Sequence, residues 1–165
     1  MTSKATQLNR ALLDAVVMSN VDQVRELLAR GADVKARDQE HDEGVLILAA
    51  KFADAAMAQL LLNAGAAVDE RDDQGRTALF FAQTGSKLFE VLLTAGADVN
   101  AKDEEGNTIL MRKVGESASL PEVEELLRLG IELGARNKAG ESAFDIANGL
   151  GLVLVAERLM SPAAG

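Results

Sequence analysis

Residues 92–110, LLTAGADVNAKDEEGNTIL, read as the end of an apolar helix, a glycine, an acidic turn and the start of a second helix. Related stretches are LLARGADVKARD at 27–38, LLNAGAAVDERDDQGRTAL at 61–79 and LLRLGIELGARNKAGESAF at 126–144. A sequence that returns to one phrase is typical of a chain that repeats one structural unit. We therefore expect stacked copies of a short helical repeat.

The apolar pairs in these stretches set the period of the repeat. They are Leu27/Leu28, Leu61/Leu62, Leu92/Leu93, Leu126/Leu127 and Leu159/Met160. The first members of successive pairs are 34, 31, 34 and 33 residues apart. A glycine follows three residues after each of the first four pairs, where it is expected to end a helix in the left-handed conformation. Each repeat therefore contains a helix that ends at a fixed place.

Hydroxyl residues predict the start of another helix in each repeat. Thr77, Thr108 and Ser142 each stand two residues after a glycine and directly before an apolar run. Serine and threonine are favoured N-cap residues, because their oxygen accepts a free N–H of the first turn. The repeat is thus predicted to be a turn followed by two helices.

The chain resembles an ankyrin repeat array in this pattern. TALF at 77–80, TILM at 108–111 and SAFD at 142–145 match the family's repeat start, while GADVK, GAAVD and GADVN match its end. The resemblance implies an all-α solenoid of stacked helix-turn-helix units with projecting turns, here called fingers. We expect a tail at 1–7 and one array over 8–165, with repeats near 8–37, 38–71, 72–102, 103–136 and 137–161.

Some positions depart from the family pattern. Gly44 stands where the second repeat should have threonine, after a turn about one residue too long. The third repeat is about two residues short after Ala82, so we expect a tight connection between its two helices. Lys113 occupies a place where the family has a small residue, so either its amine reaches solvent or its helix is locally out of register. Ser119 and Glu122 predict a capping box at the next helix.

Charge and composition limit the partners. The formal net charge is −9, which repels nucleic acid and anionic membranes and attracts a basic protein surface. No apolar run approaches the roughly 18 residues that a membrane helix needs. The first residues lack the pattern of a secretory signal. With no cysteine in the chain, we expect a cytoplasmic protein, or a periplasmic one if a signal peptide has been removed.

Residues suited to catalysis or metal binding are scarce. His41 is the one histidine, which excludes a His/Cys metal cluster, and the absence of cysteine excludes a cysteine nucleophile. Asp38, Glu40 and Asp42 have the spacing that opens a calcium loop, but Glu43 stands where that loop needs glycine. We therefore predict a protein that is not an enzyme, with no catalytic residue, no cofactor and no metal site.

The resemblance also implies where a partner binds. Ankyrin-like proteins commonly grip other proteins with a concave face formed by the fingers and the exposed side of the first helices. The fingers here are 37–43, 71–76, 102–107 and 136–141, and we expect negative potential to concentrate on the first three. Val17 and Thr84 are expected on the helix side. The residues predicted to contact a partner are Met18, Asp38, Glu40, His41, Asp42, Lys51, Phe52, Asp72, Asp73, Gln74, Arg76, Glu104 and Glu105.

Two functions fit these patterns. The first is a monomeric protein-protein interaction module that grips a partner with a basic surface and regulates, inhibits or protects against an enzyme. In it, Phe52 would be an aromatic anchor, although its ring could equally fill space beside the long turn. The second is a scaffold or assembly subunit that docks through its apolar C-terminal helix, 152–160, where a terminal repeat should present a polar face.

Overall fold

The computed structural model describes residues 3–161. Within that range the protein is all-α, with no strand and with nine α-helices and one 3₁₀ turn. The elements are α1 (Lys4–Val17), α2 (Val21–Ala29), α3 (Val45–Lys51), α4 (Ala55–Asn63), η1 (Ala78–Phe80), α5 (Lys87–Thr94), α6 (Ile109–Gly115), α7 (Leu120–Arg128), α8 (Ala143–Gly149) and α9 (Val153–Met160). The predicted fold class, an all-α ankyrin-type fold, is confirmed.

The chain divides into two compact units, Met1–Asp98 (unit 1) and Val99–Gly165 (unit 2). In unit 1, α1 packs against α2 and α3, α3 packs against α4 and η1, and α4 packs against α5. The apolar stripes of these short helices meet in one core, in which Leu12, Leu46, Met57, Leu61 and Leu92 are fully buried. Each hairpin therefore buries its stripe against its neighbour, as expected for a stacked repeat.

Unit 2 repeats the arrangement with two hairpins. Helix α6 packs against α7 and α8, and α9 packs against α7 and α8. Leu110, Val114, Val123, Leu126 and Ala147 form its buried centre. The repeat boundaries given above stay a prediction.

The predicted helix ends are confirmed at the four repeated glycines. Gly31, Gly65, Gly96 and Gly130 have φ between 74° and 97°. A residue with a Cβ is strained in this left-handed conformation, which explains why the repeat returns to glycine here.

Helix starts follow the prediction in unit 2. The Thr108 hydroxyl accepts from the N–H of Met111 at 3.4 Å, and the Ser142 hydroxyl accepts from the N–H of Asp145 at 3.2 Å. Glu122 accepts from the backbone N–H and the hydroxyl of Ser119, at 2.8 and 2.7 Å. These contacts satisfy N–H groups that have no partner within the helix.

The third repeat departs from the prediction. Where a full first helix was expected after Thr77, the chain makes only the single turn η1. The Thr77 side chain makes no capping hydrogen bond, and its hydroxyl is buried. Thr84, expected on the exposed helix side, is also buried. The repeat is about two residues short, so the chain must turn toward α5 before a second helical turn can form.

Two smaller differences concern Lys113 and the N-terminus. Helix α6 runs regularly through Lys113, whose largely buried side chain places its amine 3.7 Å from a carboxylate oxygen of Glu116. The helix is therefore in register. The Lys113 amine forms an ion pair with the carboxylate of Glu116. Helix α1 begins at Lys4, inside the segment expected to be a tail, with Ser3 as its N-cap. Residues 1 and 2 of that segment lie outside the described residues.

Candidate functional site

The first finger is held by hydrogen bonds between its own residues. Asp38 accepts from the backbone N–H of Glu40 at 2.9 Å and of His41 at 2.7 Å. Burial alone would raise the pKa of Asp38, but these bonds outweigh it and the pKa is lowered. Arg37 donates from Nε to Asp42 at 2.7 Å. Asp38 thus shapes the finger, while Glu40, His41 and Asp42 are exposed on it.

The second finger is built around Asp72. Its carboxylate accepts from the N–H of Gln74 at 3.0 Å and of Arg76 at 2.8 Å, and from Nε of Arg76 at 2.8 Å. The Asp72 side chain is 0% exposed. We predicted that Asp72 contacts a partner, but its side chain is buried and is not exposed to one. The finger carries two arginines and two aspartates, so the negative charge expected on it is also absent.

The two fingers of unit 1 meet at their tips. The backbone N–H of Asp73 donates to the carbonyl of His41 at 3.0 Å. The imidazole of His41 lies between two carboxylates, with Nδ1 3.8 Å from Asp73 and Nε2 4.0 Å from Glu40. Among residues 3–161, no lysine or arginine forms an ion pair with either carboxylate. Glu40, His41, Asp73 and the neighbouring exposed Gln74 form an acidic tip.

The helix side of unit 1 exposes two large apolar side chains. Met18 is 76% exposed and Phe52 is 53% exposed. Each is the C-cap residue of a first helix, Met18 of α1 and Phe52 of α3, so they occupy equivalent places in adjacent hairpins. Val17 is exposed beside Met18, as expected. About half of the Phe52 side chain is exposed, so it is not part of the buried core.

A charged network connects the end of α3 to both fingers. Lys51 donates to buried Glu43 of the first finger at 2.5 Å. Its amine lies 5.6 Å from the centre of the Phe81 ring, and the guanidinium of Arg76 lies 4.7 Å from that centre. Cations at these distances are attracted by the electron-rich face of the ring. Lys51 and Arg76, both predicted to contact a partner, are therefore already engaged within unit 1.

Sequence reasoning missed Glu43 and Phe81 in this network. In the sequence, Glu43 is one of the acids of the first finger, 37–43, and Phe81 lies in the apolar run that follows Thr77. The sequence signal for this network was the pair Phe80 and Phe81. Phe80 is buried and the adjacent Phe81 is half-buried, which leaves the Phe81 ring accessible to the cations. Asp42 is exposed but paired with Arg37. We use the name finger face for the predicted contact residues of unit 1 that are exposed and form no ion pair involving an arginine or a lysine in the described part of the chain: Met18, Glu40, His41, Phe52, Asp73 and Gln74.

Unit 2 has its own pair of fingers. In 102–107, Asp103 accepts from the N–H of Asn107 at 2.8 Å, whereas Glu104 and Glu105 are exposed as predicted. The carbonyl of Glu105 accepts from the N–H of Lys138 in the next finger at 2.8 Å. The same backbone contact thus joins successive fingers in both units.

A cleft of about 710 Å³ lies in unit 2, beside the ends of α6 and α8. Its lining residues are Asn107, Met111, Arg112, Gly115, Glu116, Asn137, Glu141, Asp145, Ile146, Gly149 and Leu150. None of them was among the predicted contact residues. The available signal was a glycine near the end of each of the two first helices, Gly115 and Gly149, where the other repeats carry larger residues.

Comparison with known families agrees with this architecture. The family model described as ankyrin repeats (3 copies) matches residues 12–103, more than half of the chain. The chain belongs to the ankyrin repeat family. Ankyrin repeats generally mediate protein-protein interactions. In the search of curated proteins, no relative matches this sequence.

The ankyrin repeat hairpins continue beyond the matched residues, since α6 to α9 repeat the same turn and helix pair. Over residues 3–161, no group of three or more His, Asp or Glu residues is arranged to hold a metal ion. In the same range, no helix combines the length and the apolar character needed to cross a membrane.

Proposed function

We propose that this protein is a non-enzymatic binding module that grips a basic protein partner with the finger face, and that the grip regulates, inhibits or protects against a partner enzyme. The observation that carries the proposal is the combination of exposed Phe52 and Met18 with the acidic tip. Large side chains that are costly to leave in water are typical anchors of interfaces, and charges at the rim steer association.

Four of the predicted contact residues already make contacts within unit 1. Asp38 and Asp72 shape their fingers, and Lys51 and Arg76 are engaged with Glu43, Asp72 and Phe81. We therefore assign anchoring to Phe52 and Met18 and electrostatic steering to Glu40 and Asp73. Glu104 and Glu105 in unit 2 are proposed as further steering charges because both are exposed.

The proposal is tested by binding kinetics with the partner, which is first captured by a pull-down from the native source and identified. Phe52→Ala should raise the off-rate and weaken binding by about 2 kcal/mol, as loss of an anchor does. The double reversal Glu40→Lys with Asp73→Lys should lower the on-rate and its dependence on salt, with little change in melting temperature. The matched control is Glu125→Lys with Glu157→Lys, which changes the net charge equally on second helices.

The opposite pattern would contradict the finger face. If both finger-face variants bind like the parent protein while the control pair loses binding, the second helices of unit 2 form the interface. If the control pair lowers the on-rate as much as the finger pair, net charge and not the acidic tip steers the partner.

A second candidate function is assembly through α9. Val153, Leu154 and Met160 on this helix are each more than 60% exposed. Arg158, one of its two charged residues, is paired with Glu124 of α7, which leaves Glu157 as the unpaired charge. An exposed apolar helix face is a common docking surface. Light scattering over a concentration series separates the two candidates, since self-association favours α9 and a monomer favours the finger face.

The location in the cell is also a proposal. The absence of cysteine fits the reducing cytoplasm, and the periplasm is the alternative. Fractionation of the native source, followed by detection with an antibody, distinguishes the two compartments.

A further inference from the structure

The cleft of unit 2 has an apolar floor that side chains do not fill. Met111, Ile146 and half-exposed Leu150 line it. Gly115 and Gly149 keep it open, although a Cβ added at either would meet no atom within 4 Å. Neither glycine has a positive φ. Neither backbone conformation nor internal packing therefore requires glycine at these places, and a larger residue would occupy the cleft.

The walls of the cleft carry more carboxylates than cations. Arg112, its single cationic side chain, pairs with Glu116 at 3.0 Å. Asp145 pairs with Arg136 at 3.1 Å and accepts from the hydroxyl of Ser142 at 2.7 Å. The hydrogen bond from the Ser142 hydroxyl, followed by that from the Ser142 N–H and the charge of Arg136, lowers the pKa of Asp145 and favours its charged form.

Glu141 differs from the other two carboxylates. Its side chain accepts from the amide of Asn137 at 3.2 Å, and it has no cationic partner among residues 3–161. A carboxylate beside an apolar floor, without a cation of its own, fits a side chain that has an apolar stem and a positive head. Arginine has that form, and its planar guanidinium binds a carboxylate through two parallel hydrogen bonds.

We propose that the cleft of unit 2 binds an arginine side chain from an extended segment of the protein partner. The aliphatic stem lies along Ile146 and Leu150, and the guanidinium pairs with Glu141. The inference rests on the proposed function, because it assumes a protein partner, and it adds a specificity residue and a location in unit 2. A volume of about 710 Å³ accommodates the arginine and its flanking residues.

The test is a nuclear magnetic resonance titration of the ¹⁵N-labelled chain of residues 1–165. The probe is the peptide Ac-Ala-Leu-Arg-Leu-Ala-NH₂, and its matched control replaces arginine with uncharged citrulline. We expect the arginine peptide to shift the backbone amides of Glu141, Gly149 and Leu150. The citrulline peptide should bind about tenfold more weakly, which corresponds to the loss of one charge-assisted pair.

Variants locate the binding. Glu141→Gln keeps the shape of the side chain and should weaken the arginine peptide about tenfold. Gly149→Leu should abolish the shifts by filling the cleft, and α8 should stay folded because a Cβ at this position meets no atom within 4 Å. Glu157→Gln on α9 removes the same charge elsewhere and should leave the affinity unchanged. Melting curves verify that each variant is folded.

Several results would overturn the proposal. They are equal affinity for the citrulline peptide, shifts spread over the whole acidic surface, or unchanged binding by folded Gly149→Leu. Shifts of the same amides on concentrating the protein without peptide would assign the cleft to a second copy instead. The titration does not involve the finger face, so a partner indifferent to Phe52→Ala contradicts the proposed function while the peptide result stands.

Discussion

The first helices of the second and fourth repeats begin with the same backbone and different chemistry. Gly44 before α3 and Thr108 before α6 both have φ −80° and ψ 167°. Thr108 caps its own helix with its hydroxyl. Gly44 has no side chain, and Glu70 caps α3 instead by accepting from the N–H of Leu46 at 3.1 Å. The cap of α3 therefore comes from a residue 24 positions further along the chain.

The glycine makes this exchange possible. A Cβ on Gly44 would lie 2.2 Å from a carboxylate oxygen of Glu70, so the carboxylate fits only because the Cβ is missing. The free N–H groups at a helix start need an acceptor, but the acceptor need not be local. The comparison shows that the repeat conserves the geometry of the helix start while the source of the cap changes between units.

The largest expected effect is the loss of stability when a buried leucine near each helix start is truncated. It tests whether the two repeats are packed equally well. Leu46 and Leu110 follow the two cap positions at equivalent places and are buried alike. Leu46→Ala and Leu110→Ala should each lower the free energy of unfolding by about 2 to 5 kcal/mol, measured by chemical denaturation. Leu154→Ala on the exposed face of α9 is the control and should change it by less than about 0.5 kcal/mol. A small loss at only one buried leucine would show that the repeats are not equivalent in packing.

The next largest effect is the loss of stability when each helix cap is removed, Glu70 from α3 and Thr108 from α6. Glu70→Ala leaves the N–H of Leu46 without an acceptor in a partly buried place and should cost about 1 to 3 kcal/mol. Thr108→Ala should cost about 1 kcal/mol, the usual value for loss of an N-cap. Glu70→Gln keeps an oxygen acceptor and should cost less than Glu70→Ala in the same denaturation experiment. A neutral Glu70→Ala would mean that the cap from the distant residue contributes nothing.

A double variant should replace the distant cap of α3, Glu70, with a local hydroxyl cap like that of α6. In the Glu70→Ala background, Gly44→Ser supplies a local hydroxyl and should restore about 0.5 to 1 kcal/mol. In the parent protein, Gly44→Ser should lower stability, because its Cβ displaces the Glu70 carboxylate. The sign of the serine substitution thus depends on Glu70, and a double-mutant cycle measures this coupling. Additive effects would contradict the exchange of caps.

The smallest effect is a pH dependence of opposite sign in the two units. Burial raises the pKa of Glu70 above 4.5, against smaller lowering by the N–H groups of Leu46 and Ile47 and by Arg37. The folded protein binds this proton more tightly, so the contribution of Glu70 is fully present below pH 4.5 and lost as the pH rises through its higher folded pKa. The stability of the parent relative to Glu70→Gln should therefore increase as the pH is lowered through that window.

Asp145, which accepts from the N–H and hydroxyl of Ser142 at the start of α8, provides the opposite case. The Ser142 bonds lower its pKa below 3.8, so its contribution is present above pH 3.8 and lost as the pH falls through the lower folded pKa. The stability of the parent relative to Asp145→Asn should then decrease on acidification. Melting temperatures of the parent and both variants over a pH series check the two signs, and the same sign for both would contradict the assignment.

The candidate site was only partly predictable. Phe52 and Met18 were expected at exposed helix ends because the repeat places the last residue of each first helix there, and both are exposed. Asp72 and Arg76 were expected to be available because charged residues in turns usually face water. Asp72 instead organises its turn and is buried by it. A charge pattern in a sequence does not show which carboxylates are engaged in hydrogen bonds within their own loop.

The sequence by itself determined the repeat period and the glycine helix ends, and its resemblance to ankyrin repeats implied the all-α fold. These features follow from interactions within a few residues, such as the strain of a Cβ at positive φ and the spacing of an apolar stripe. Only the tertiary structure decided that Glu70 caps α3, that Glu43 pairs with Lys51 and that a cleft opens in unit 2. Each of these depends on which side chains the folded chain brings together, and the spacing of residues along the sequence does not record those distances.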